Sequence, residues 1–110
     1  MDILIHTDGV NLTPALEDAV YDKIGRVEQY APRALRARVR MRRVSAHPSP
    51  RQYVVRVLFE IPGADLSAEE SGADVTSALD IVAGKIERRL RRLKTERLAK
   101  RAHKNPRRRD

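Results

Sequence analysis

The sequence predicts an α+β fold: a two-layer β-α-β-β-β-α domain in which two helices pack on one face of a four-stranded mixed sheet. Three observations carry this reading. Residues 35 to 44 and 52 to 61 alternate apolar and polar side chains with period two, as a strand with one buried face does. Apolar residues recur at helical spacing from Leu16 to Val27 and again from Val75 to Leu93. Proline and glycine punctuate the chain between these segments.

The elements follow in order. Ile3 and Ile5 alternate with Leu4 and His6 in a short first strand, and Thr7-Asp8-Gly9 supplies turn chemistry. Thr13 is a good N-cap, Pro14 fits the first helical position, and Glu17 and Asp18 favour the positive end of the helix dipole. Leu16, Val20, Ile24 and Val27 then mark a helix from about 14 to 29, which Pro32 closes. LRARVRMRRV (35 to 44) is the second strand, with Arg36, Arg38, Arg40 and Arg42 on one face and Leu35, Ala37, Val39 and Met41 on the other. SAHPSPR (45 to 51) is a loop. In the third strand, QYVVRVLFEI (52 to 61), the odd positions Tyr53, Val55, Val57, Phe59 and Ile61 form an apolar face. Pro62-Gly63 is a turn, DLSAEES (65 to 71) is a weaker edge strand, and Gly72 breaks it.

Asp74 caps a long second helix whose buried stripe is Val75, Leu79, Val82, Ile86, Leu90 and Leu93. By Arg97 the stripe position itself is charged, so the helix is expected to leave the body near there. Residues 1 to 96 are read as the domain, and residues 97 to 110, ending in RAHKNPRRRD, as a basic disordered tail. A helix between the first two strands permits a parallel crossover, and strands two to four form an antiparallel meander.

Composition narrows the function. The chain is long enough for one modest core, built from Val, Leu, Ile and Ala because it has one Phe and no Trp. The absence of cysteine excludes disulfides and thiolate metal sites and fits a reducing compartment. MDILIHTDGV resembles neither a signal peptide nor a membrane span, so the expected location is cytoplasmic, with no membrane partner. His6, His47 and His103 fall on a strand, a loop and the tail with no ligand spacing. Glu69 and Glu70 point to opposite faces of a strand, and no phosphate loop, nucleophile elbow or metal cluster is present. No catalytic residue, metal or cofactor is expected.

Charge is the informative property. The net charge is +8, yet residues 85 to 110 alone carry +10 and residues 1 to 84 carry −2. Cations crowded on one element repel one another, and a bound polyanion relieves the repulsion, which points to nucleic acid. On the second helix Lys85, Arg88 and Arg92 fall on one flank of the apolar stripe, with Arg89 at its border. They stand about 5 to 6 Å apart per turn, a spacing that follows successive phosphates. Glu87 lies elsewhere on the wheel, and Glu96 reaches only Arg92. Lys23 and Arg26 on the first helix read, by themselves, as a solvated face that Asp22 and Glu28 neutralise.

A hairpin centred on Pro48 would oppose Arg36, Arg38, Arg40 and Arg42 to Glu60, Leu58, Arg56 and Val54. Arg36 then has an acidic partner, while Arg40 faces Arg56, a destabilising like-charge pair that Glu69 could screen. A solvated sheet face and a secondary RNA contact both remain open for this ladder.

Taken in order, these segments resemble the ribosome hibernation promoting factor and ribosome-associated translation inhibitor family, in its short form, over roughly residues 1 to 95. DILIHTDGVNLTPAL looks like the family's opening strand, turn and threonine-capped helix. KIGRVEQY (23 to 30) looks like its basic helix end, and SGADVTSALDIVAGKIERRLRRLK (71 to 94) like its Gly-x-Asp helix start and basic continuation. The resemblance implies a hibernation factor that binds the rRNA of the small ribosomal subunit in the mRNA and tRNA channel. It would compete with mRNA and tRNA and inhibit translation by occupancy, protecting idle ribosomes in stress or stationary phase. On matched positions it implies rRNA contacts by Lys23, Arg26, Lys85, Arg88, Arg92 and Lys94, with the outer flanks of two adjacent helices forming one basic groove.

Departures from the family are visible. Glu17 stands where members often carry a basic residue, and the Arg36 to Arg42 ladder is denser than usual. Nothing in the chain matches the C-terminal dimerisation domain of long members, so pairing of ribosomes by that route is not expected. Two rivals remain: a general double-stranded RNA-binding module, and a protein-interaction adaptor using the outer sheet face around Val54 and Leu58. The first would bind free RNA helices nearly as well as ribosomes; the second needs a continuous apolar patch.

Overall fold

The computed structural model describes the backbone of residues 1–103 and the side chains of residues 1–97. The elements run β1 (Asp2–Asp8), α1 (Pro14–Val27), a 3₁₀ turn (Glu28–Tyr30), β2 (Arg36–Arg43), β3 (Tyr53–Ile61), β4 (Ala64–Gly72) and α2 (Val75–His103). The four strands form one sheet in the order β1-β2-β3-β4. β1 and β2 are parallel, with α1 as the crossover, and the remaining pairs are antiparallel. The expected two-layer α+β fold with a mixed sheet is the one observed.

Local chemistry sets the boundaries. Thr13 accepts a hydrogen bond from the Leu16 N–H at 3.2 Å, with Pro14 at the start of α1 and Arg26 in its last turn. At the other helix, Asp74 accepts from the Ser77 N–H at 2.8 Å and from the Ser77 hydroxyl at 2.9 Å. Gly9 and Gly63 take positive φ, +69° and +84°, at the ends of β1 and β3, where L side chains are strained. A side chain at Gly9 would also meet the Cβ of Arg43 at 3.3 Å.

Three boundaries differ from expectation. β1 continues through Thr7 and Asp8 because its parallel ladder with β2 extends to Asp8 opposite Arg42. β4 includes Gly72, which pairs with Tyr53 rather than breaking the strand. α2 runs on through residues 97–103, which were read as tail: no Gly or Pro interrupts that stretch, so a helix already nucleated propagates. The rest of the expected tail, 104–110, lies outside the described residues. The helix does leave the body as expected. Leu90 is buried and Leu93 half-buried, and residues 94–97 are exposed.

One core lies between the layers. α1 contributes Val20, Ile24 and Val27, the inner sheet face Ala37, Val39, Met41, Val55, Val57, Phe59 and Ala68, and α2 Leu79, Val82, Ile86 and Leu90. Among the described residues no polar or charged one is buried as a whole, although the Nε atom of Arg36 is buried without a hydrogen bond. Phe59 is fully buried between Ala37 of β2 and Leu66 of β4, its neighbours in register. Burying such a side chain is worth about 1.5–3 kcal/mol. Among the described residues no helix covers the opposite face of the sheet, which carries the outward residues of all four strands.

Candidate nucleic-acid interface

The cations of α2 divide into two sets because a helix presents different flanks to its two neighbours. On the β4 side, the Lys85 ammonium lies 2.9 Å from Glu70 and donates to the Glu69 carbonyl at 3.3 Å. Arg89 donates to the Ser67 carbonyl. β4 is an edge strand, so these two side chains occupy backbone acceptors that could otherwise pair with another chain. The Lys85 hydrogen bond, helped by the Ser71 N–H, holds the Glu70 carboxyl below its usual range.

Arg88 and Arg92 share this flank and are exposed. They stand one helical turn apart, roughly 6 Å along the axis. Among the described residues neither forms an ion pair, and Glu96 does not engage Arg92. They are the least neutralised cations of the flank.

On the α1 side the picture reverses. The Lys23 ammonium lies 2.7 Å from Asp80 of α2, and Arg26 pairs with Asp22 one turn back. Glu28, expected to help neutralise these cations, instead binds the N-terminal ammonium at 3.2 Å. Arg91 donates to the Tyr30 hydroxyl at 2.9 Å, stacks 4.9 Å from the ring centroid and lies 3.3 Å from Glu87. Lys94 follows on this side and, with Arg33 and Arg97, rims a recess of about 510 Å³ floored by Ala34, Ile61, Leu90 and Leu93.

In this geometry the residues expected to line one groove sit on two sides of α2. Lys85 and Arg89 lean toward β4, whereas Lys23 and Arg26 belong to the helix packed on the other flank of α2. The cationic flank is therefore a stripe along the β4 side, and Lys94 is not part of it. Sequence reasoning missed Asp80, the partner of Lys23, and Arg91, which fixes Tyr30. Asp80 was unreadable because it lies 57 residues from Lys23.

The open sheet face follows the expected register: Arg36, Arg38, Arg40 and Arg42 oppose Glu60, Leu58, Arg56 and Val54. Glu60 serves two arginines, at 3.5 Å from Arg36 and 3.1 Å from Arg38. Arg40, Arg42 and Arg56 form no ion pair among the described residues, and Glu69 does not engage Arg56. Val54 and Leu58 are half-buried and separated by the exposed Arg56, so they form no continuous apolar patch. That removes the feature the adaptor reading required.

Among the described residues no group of three His, Asp or Glu side chains could hold a metal, and no helix is long and apolar enough to cross a membrane. Fold and site together define a small two-layer α+β domain with a cationic stripe on its longer helix. The chain belongs to the family described as Sigma 54 modulation protein / S30EA ribosomal protein, whose profile matches residues 3–98.

Two relatives are similar to it. The ribosome hibernation promotion factor of Deinococcus radiodurans is 30% identical over 97 residues, covering 88% of this chain and 51% of that protein. The factor of the same name from Staphylococcus aureus is 30% identical over 94 residues, covering 83% and 47%. The chain thus spans about half the length of these curated relatives. Among solved structures, a ribosomal subunit interface protein from Coxiella burnetii superposes with a TM-score of 0.75 at 20% identity, covering 86% of this chain and 99% of that one. The N-terminal domain of Thermus thermophilus Protein Y gives 0.71 at 24% identity, covering 84% and 99%. At such identities the two structures establish the fold alone.

Proposed function

We propose that this protein is a ribosome hibernation factor acting in the cytoplasm. It binds the rRNA of the small subunit in the mRNA and tRNA channel and inhibits translation by occupying the decoding sites. Family membership supports the ribosomal part of this reading, as do the names of the relatives, both of which are hibernation promotion factors. The observation that carries the nucleic-acid part is the exposed pair Arg88 and Arg92, one turn apart on a helix flank and without ion pairs among the described residues. Two guanidiniums so placed offer planar, charge-assisted donors to neighbouring phosphates.

Lys23 and Arg26 join the contact by exchanging the exposed carboxylates of Asp80 and Asp22 for phosphate, an exchange that costs little because surface ion pairs are weak and screened, and Lys85 exchanges the half-buried Glu70. With Lys94, about six phosphate contacts result. Log affinity for purified small subunits then falls with log salt at a slope of roughly −4 to −5. A slope near zero in that titration would remove the mechanism. Specificity comes from fitting a folded rRNA surface, since Tyr30 is held by Arg91 and other aromatics are scarce. Displacement by mRNA and tRNA separates this reading from a general duplex binder, which would bind free RNA helices nearly as tightly.

A further inference from the structure

We propose that a row on the open sheet face, His6, Arg40 and Arg56, is a second phosphate-binding surface that takes the sugar-phosphate backbone of RNA. The identity of the anion rests on the ribosomal reading above; the site itself rests on the sheet. His6 lies beside Arg40 in the β1–β2 register, and Arg40 directly opposes Arg56 across β2 and β3. All three residues are exposed. Arg38 one row away and Arg36 two rows away share the carboxylate of Glu60, but no ion pair reaches Arg40 or Arg56 among the described residues. The carboxylates nearest in register are Glu69 opposite Arg56 and Asp8 opposite Arg42, and neither forms an ion pair on this face.

Two guanidiniums set directly opposite on adjacent strands repel each other and weaken the sheet. Directly opposed side chains start only about 4.5–5.5 Å apart at Cβ, so both forks can converge on one phosphate. A phosphate there turns the repulsion into paired charge-assisted hydrogen bonds, and the His6 ring adds a third polar group. The surroundings favour a polymer over a bare ion. A shallow concavity of about 440 Å³ surrounds the row, and Leu4 and Leu58 supply apolar contact beside the cations, as a sugar requires. The Arg88–Arg92 stripe belongs to the helix layer, so the two surfaces would meet different stretches of RNA.

The test compares the full chain with Arg40→Gln/Arg56→Gln in salt titrations of binding to purified small subunits. Loss of the shared phosphate contact lowers the slope by about 1, and Arg40→Lys/Arg56→Lys restores it because the charges return. Thermal melting of the free Gln variant should show an unchanged or higher midpoint, since a repulsive pair has gone. An unchanged slope and affinity in the Gln variant, with binding lost in Arg88→Glu/Arg92→Glu, would overturn the proposal and leave the helix contact standing. Unchanged binding in both variants would overturn the proposal and move the contact to other residues, whereas failure of the unaltered chain to bind small subunits would overturn the ribosomal reading itself.

Discussion

The Lys23 ammonium of α1 sits 2.7 Å from the Asp80 carboxylate of α2, joining the two helices at the surface of the domain. The lysine side chain is 21% exposed and the aspartate 67%. One partner is therefore shielded and the other open to solvent, so the pair sits between a packing contact and a surface decoration.

A double-mutant cycle of Lys23→Ala and Asp80→Ala, read by urea unfolding, is expected to give a coupling of about 0.2–1 kcal/mol. The same pair bears on binding. Asp80→Asn removes the carboxylate that competes for the ammonium, so affinity for small subunits should rise while the salt slope stays near its original value. Weaker binding by Asp80→Asn would mean that Lys23 must be held by Asp80 to reach RNA.

Charge reversal on the α2 flank tests the main contact. Reversing Lys85 as well would break its ion pair with Glu70 and disturb β4, so Arg88→Glu/Arg92→Glu is the cleaner variant. Both residues are exposed and free of ion pairs among the described residues, so circular dichroism and the melting midpoint should change little. Cosedimentation with small subunits should be lost. Binding that survives would shift the contact away from α2.

Phe59→Ala removes the one phenylalanine, fully buried between Ala37 and Leu66. The expected cost is about 3–5 kcal/mol, because the small neighbouring Ala37 cannot collapse into the cavity. Denaturant unfolding measures it directly. A loss below about 1 kcal/mol would mean the layers close over the gap.

Acid should loosen the start of α2. The Ser77 N–H holds the Asp74 carboxyl below its ordinary pKa, and Lys85 does the same for Glu70. A depressed folded-state pKa gives stability that is complete above the unfolded value, near about pH 4, and is lost as pH falls through the folded value. Asp74→Asn keeps an acceptor for the Ser77 N–H without titrating. In urea midpoints measured from pH 7 downward, the wild type should therefore fall more steeply than the variant below about pH 4. Parallel curves would assign the acid sensitivity to other groups.

Much of the molecule is legible in its sequence. The alternation in residues 35 to 44 and 52 to 61 named both the buried and the open face of the central hairpin, and the loop prolines set a register observed residue for residue. The stripe from Leu79 to Leu90 named the inner face of α2. The helix end at His103 was not legible, because residues 94 to 103 carry no buried stripe and persist as helix only through propagation from the packed turns.

What the amino-acid order determined by itself was periodicity, that is, which residues share a face, and that the basic excess lies in the C-terminal quarter of the chain. Periodicity is local, since it depends only on the geometry of one strand or one helix. Tertiary structure decided which cations have partners. Packing α1 on the Asp80 side of α2 neutralises Lys23, and seating α2 over β4 engages Lys85 and Arg89, leaving Arg88, Arg92, Arg40 and Arg56 without ion pairs among the described residues. An ion pair forms within about 4 Å, a distance set by how elements of distant sequence cross, and no spacing within one element encodes it.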